Sequence, residues 1–191
     1  MIFDYECPHD TPVQAMMVEF SVPKRGWVNC HIAPLNNLFA ISCTYIWSPF
    51  GRLLTWLEQI SDGSDACTWL VDQERRCSRL QFFGGSKSVD DRTDYLLHIV
   101  SAKTPYPIRG VTVERRQLVE SFYSGFRAMI ESPAYSPREW DAFPQFHLLN
   151  DMDDDEYTSA MRALPYGGEP LGPKRSPRVE AWLAQETGQS R

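Results

Sequence analysis

The densest run of groups able to do chemistry is Asp151-Met152-Asp153-Asp154-Asp155-Glu156. Asp151, Asp153 and Asp155 alternate as the first, third and fifth oxygen donors of a calcium-binding EF-hand loop do. Such a loop needs glycine at its sixth position and a bidentate glutamate at its twelfth, and here those places hold Glu156 and Arg162. The pattern fails where the geometry is most demanding. The run therefore reads as a solvated acidic face or a patch for docking a protein, and no metal is assigned to it.

Cys7, His9, Cys30 and His31 offer donors for zinc, but Cys-x-His and Cys-His fit none of the standard structural spacings. A Cys-His dipeptide in a strand also points its two side chains to opposite faces. Nucleophilic catalysis needs a thiol or hydroxyl beside a base and an orienting acid. Histidines 9, 31, 98 and 147 and cysteines 7, 30, 43, 67 and 77 allow such a pair in space, for example Cys30 or Cys43 with His98. No nucleophile elbow, His-Glu-x-x-His pair or dinucleotide-binding glycine pattern occurs. Gly84-Gly85-Ser86-Lys87 imitates the end of a phosphate loop, yet it lacks the upstream glycine and opens into a polar stretch. No cofactor is expected. A small enzyme with a Cys–His or carboxylate site assembled across the sheet stays open as the alternative reading.

The elements that would position these groups can be read from periodicity. Residues 16–22 and 27–33 alternate as strands around the turn Pro23-Lys24-Arg25-Gly26, and 38–46 is a third β-rich run. Trp27, Asn29 and His31 alternate against Val28, Cys30 and Ile32. Ser48 and Pro49 open a helix in which Phe50, Leu53, Leu54, Trp56, Leu57 and Ile60 form one apolar stripe, and Gly63 closes it. Residues 67–71 and 77–83 form a hairpin, and 95–100 another strand. A long helix runs from near Val113 to before Pro133, its stripe made by Leu118, Phe122, Phe126, Met129 and Ile130. Gly125 inside it costs roughly 1 kcal/mol against alanine and marks a point of close packing. Ser136-Pro137-Arg138-Glu139 reads as a capping box opening a short helix through Trp140. Tyr157, Met161 and Leu164 suggest a further turn or two. Three prolines and three glycines between 165 and 173 read as a linker to a last helix capped at Ser176-Pro177, with Val179, Trp182 and Leu183 as its apolar contacts.

These elements predict an α+β fold: an antiparallel meander of about six strands packed on two main helices, with a short helical C-terminal appendage. The expected boundaries are a domain over 1–164 and a linker plus helix over 165–191, docked weakly or ordered by a partner. With 191 residues and 42% hydrophobic content the chain can bury a sizeable core. Its N-terminus lacks a signal-peptide pattern and no apolar run reaches the roughly 20 residues that span a bilayer, so a cytoplasmic protein away from membranes is expected. Five scattered cysteines fit buried free thiols better than a disulfide scaffold.

Charge is the most informative property. Residues 131–160 hold eight acids and one base, Arg138, for a net −7 within a total of −6, so the rest of the chain is close to neutral. That balance disfavours nucleic acid as partner and favours a basic protein. Six tryptophans fall about one per element, as core anchors do, with Trp140 and Trp182 expected to be the more exposed.

Three stretches carry a resemblance: Trp-Ser-Pro-Phe-Gly-Arg-Leu-Leu-Thr-Trp-Leu-Glu-Gln-Ile (47–60), Trp-Leu-Val-Asp-Gln-Glu (69–74) and Arg-Arg-Gln-Leu-Val-Glu-Ser-Phe-Tyr-Ser-Gly-Phe-Arg (115–127). Over roughly 16–143 the chain resembles bacterial immunity proteins that neutralise toxins of interbacterial competition. The resemblance implies a non-enzymatic binder whose acidic face covers a basic toxin's cleft. Asp151, Asp153, Asp154, Asp155 and Glu156 are the expected contact residues, with Trp140 as a nearby anchor. A self-assembling structural subunit is the third reading.

Overall fold

The computed structural model describes residues 15–34, 39–45, 48–73, 77–84, 94–100, 109–140 and 174–185. The elements are β1 (Met16–Phe20), β2 (Trp27–Pro34), β3 (Phe39–Thr44), α1 (Phe50–Ser61), β4 (Ala66–Asp72), β5 (Cys77–Phe83), β6 (Asp94–Val100), β7 (Arg109–Val113), α2 (Arg115–Glu131), α3 (Pro137–Trp140) and α4 (Pro177–Gln185). The class is α+β. The expected single meander is instead two antiparallel sheets, ordered β1-β2-β3 and β4-β5-β6-β7. The additional strand, β7, occupies residues expected to lead into the long helix, which starts at Arg115 and leaves Val111 and Val113 buried in the sheet.

The sheets are separate because α1 intervenes between β3 and β4, and a side chain closes the seam. The Ser42 backbone N–H donates to Gln73 Oε1 at 3.0 Å, and Gln73 Nε2 donates to Ser78 Oγ at 2.6 Å. A glutamine carbonyl thus stands where a neighbouring strand's would, satisfying an edge donor that would otherwise template another chain.

Helix α1 buries the six apolar residues its periodicity predicted. Its N-cap is Pro49, one residue later than expected and without a side-chain cap; Pro49 O instead accepts from Leu53 N at 2.8 Å and from Trp69 Nε1 at 3.0 Å. Gly63, at φ +88°, ends it in a Schellman arrangement, with Ser64 N–H to Gln59 O and Gly63 N–H to Ile60 O.

Aromatic contacts run α1 and α2 antiparallel and join both sheets. At one end Phe50 stacks on Phe126 at 5.3 Å and meets Phe20 of β1 and Trp140 of α3 edge-on. At the other, Trp56 packs on Trp69 of β4 at 6.1 Å and edge-on against Phe122 at 5.2 Å. Such pairs add about 0.5–1.5 kcal/mol each beyond area burial. Among the described residues, no helix is long and apolar enough to cross a membrane.

The expectation of a weakly docked C-terminus is corrected for residues 174–185. Val179 is fully buried, and Trp182 and Leu183 pack against the core. Ser176 Oγ caps α4 by accepting from Val179 N at 3.2 Å while donating to Glu58 of α1 at 2.6 Å. Tyr123 OH of α2 donates to Glu180 at 2.6 Å and accepts from Ser176 N at 3.1 Å. Arg116 caps the far end through Leu183 O at 2.7 Å. A row of polar bonds laid over an apolar stripe, rather than the stripe alone, holds this helix.

Candidate functional surface

The acidic run expected to carry binding, Asp151, Asp153, Asp154, Asp155 and Glu156, lies outside the described residues, as does the segment 157–164 after it. The last described residues before it, in α3, are held to the body. Glu139 O accepts from Gly26 N at 2.7 Å, and the Glu139 carboxylate accepts from Arg25 N at 3.0 Å. Both donors belong to a two-residue hairpin turn whose residues have positive φ, Arg25 at +51° and Gly26 at +78°. A type I′ turn requires that conformation, and its successive N–H groups form a small nest for an anionic or carbonyl oxygen. A Cβ on Gly26 would overlap the Tyr45 ring. The capping-box reading of Ser136 to Glu139 is corrected in one respect: the Glu139 carboxylate reaches the hairpin at Arg25.

Trp140 is likewise corrected. Its exposure is 0% and its ring lies 5.2 Å from that of Phe50, so it anchors α3 in the core and presents nothing to a partner. Among the described residues the exposed tryptophan is Trp27, at 37%, with Met17 at 56%, while Trp182 is half-buried. Strand alternation held the signal, because Trp27 shares its face with Asn29 and His31, both exposed. On that outer face Glu19 sits directly across from His31, and Ser42 Oγ donates to Asn29 Oδ1 at 3.0 Å.

The thiols described are placed for packing. Cys30 and Cys43 are wholly buried on the inner face of β2 and β3, and burial pushes both well above the usual thiol range. Burial raises Cys67 to about 11 against the opposing pull of Arg115 and the Trp56 indole N–H, and Cys77 is also raised by burial. Thiols held in the neutral form are poor nucleophiles. The His98 suggested as their base belongs to β6 of the other sheet. Among the described residues, no group of three or more His, Cys, Asp or Glu is arranged to hold a metal ion.

One groove on the surface has a defined floor. It has a volume of about 330 Å³ and lies between the outer edge of β1, from Val18 to Val22, and the C-terminal half of α2, at Gly125, Ala128, Met129 and Ser132, with His31 at its rim. The alternation of bonds along β1 shapes it. Ser21 N–H donates to Asn29 O at 2.9 Å, so odd-numbered residues bond β2 and even-numbered residues turn their N–H and C=O outward. At Met16 the outward carbonyl accepts from Ser121 Oγ at 2.9 Å. At Val18 it lies against Gly125, where a Cβ would overlap it. Beyond that point the helix diverges. Among the described residues, no hydrogen bond meets the outward groups of Phe20. The register then slips by one residue between Phe20↔Cys30 and Lys24↔Trp27, a bulge at Val22-Pro23 that ends the strand where proline is tolerated.

No family model matches the chain, and no curated protein or solved structure matches it either.

Proposed function

We propose that the protein is a stoichiometric protein-binding module, an immunity or inhibitor protein that neutralises a basic toxin domain through an acidic surface. One observation carries this reading: eight acids against one base within residues 131–160 of a chain that is otherwise near neutral. A concentrated field of one sign accelerates and selects encounters with an oppositely charged protein. The α3 latch supports it, since Trp140 in the core and Glu139 on the hairpin hold the start of that segment to the body. The partner is expected to be encoded beside this gene, toxic alone, and recovered with this protein one-to-one. Replacing Asp153, Asp154 and Asp155 together by lysine slows association about tenfold or more at low salt and flattens its salt dependence. An unchanged association rate in stopped-flow measurements removes the acidic run from the docking face.

A further inference from the structure

We infer that the open half of the β1 edge, at Phe20 to Val22, is a slot that receives a short extended strand of a basic protein partner. The inference rests on the protein-binding reading above and names a second contact for it, remote in sequence from the acidic run.

Three observations converge on this slot. First, the main chain of Phe20 offers an N–H and a C=O facing away from β2 with no hydrogen bond from any described residue, in a strand whose earlier outward carbonyls are covered by Ser121 and Gly125. Edge groups of this kind are what an added strand pairs with. Second, they open into a groove of about 330 Å³, room for two or three residues, floored by Phe20 and Met129 and walled by Ala128. Its bounds are built in: Gly125 closes it at Val18, and the bulge at Val22-Pro23 ends it on the other side. Third, the charge on its rim belongs to Glu19, exposed on the outer face. An added strand places alternate residues on that face, where lysine or arginine lies beside Glu19, and sends the others, apolar, toward Phe20 and Met129. The occupant is therefore a strand alternating basic and apolar residues.

The test uses the full chain and a blocked pentapeptide, acetyl-Lys-Val-Lys-Val-Lys-amide, alongside the same peptide N-methylated at both valines. N-methylation removes main-chain donors and leaves every side chain in place. Nuclear magnetic resonance titration is expected to shift the Phe20 and Val22 amides with the first peptide, with affinity at least about tenfold weaker for the second. Ala128→Trp, on an exposed face of α2, fills the groove and abolishes the shifts while leaving the unfolding temperature unchanged. Absence of shifts at Phe20, equal binding of both peptides, or full binding by Ala128→Trp overturns the slot. So does a concentration-dependent dimer that Ala128→Trp breaks, which makes a second copy the occupant. With the cognate partner the two claims separate. If the triple lysine variant slows association and Ala128→Trp has no effect, the slot falls and the acidic docking face stands. If Ala128→Trp raises the partner's dissociation rate and the lysine variant does nothing, the slot stands and the acidic face falls.

Discussion

The outer edge of β1 is two different surfaces four residues apart. Its first half, at Met16 and Val18, is closed by α2: a serine hydroxyl satisfies one carbonyl, and a glycine lets the helix backbone come down on the other. Its second half, at Phe20, has the same strand geometry and the same apolar side-chain row on the inner face, yet it opens into a groove. The difference lies entirely in α2. Ser121 and Gly125 fall one turn apart on one face, so the helix seals as far as its small residues reach, and the next residue along that face, Met129, is too bulky for contact that close. An edge blocked over part of its length and open over the rest limits how much foreign strand can pair, which suits a specific contact better than open-ended aggregation.

The comparison can be broken most severely from below. Phe126 packs on Phe20 at 6.2 Å and on Phe50 at 5.3 Å, in the core beneath the open half. Phe126→Ala is expected to remove about 3–5 kcal/mol of stability, measured by denaturant unfolding. Next comes the seal itself. Gly125→Ala gains roughly 1 kcal/mol in helix propensity, but its Cβ collides with the Val18 main chain, and the net expectation is a loss of about 1–3 kcal/mol. A stabilised Gly125→Ala protein shows that the close approach is not holding the edge. The smallest effect is expected at Ser121→Ala, about 1 kcal/mol, because one edge carbonyl loses its donor without a change of packing.

Which parts of this arrangement the sequence reveals follows the range of the interactions. Helix α1 is written locally: its stripe, its proline start and its glycine stop each follow from a few neighbouring residues, and the structure departs only by one residue at the cap. The close packing at Gly125 was readable because glycine in a helix interior needs a reason. Strand β7 was hidden because Arg109–Val113 is short and runs almost directly into α2, so its valines blend with the helical pattern. The seam between the two sheets is closed by Gln73 reaching Ser42, and the latch by Glu139 reaching Arg25, 114 positions away. Trp140 stands beside an irregular segment in the sequence, and its ring packs edge-on against Phe50, distant in sequence. The groove is a property of main-chain groups and of where a helix diverges from a strand. No side-chain pattern reports that.

The clasp over α4 shows the same logic with polar groups. Glu180 is held below the usual carboxylate range, first by its bond from Arg175 and then by the Tyr123 hydroxyl. A depressed folded-state value means that this contribution is present above the unfolded carboxylate's pKa and is lost as pH falls through the folded one. Acidification below about pH 4 is therefore expected to raise hydrogen exchange in 177–185 before the sheets respond.

The difference between the two halves of β1 is tested most directly by amide hydrogen exchange in the free protein. Glu19 and Ser21 donate toward β2 and are expected to exchange slowly, whereas Phe20 between them, with its N–H turned to the groove, exchanges fast and slows when the alternating peptide is added. A Phe20 amide as protected as its neighbours in the free protein contradicts the open edge, and with it the slot.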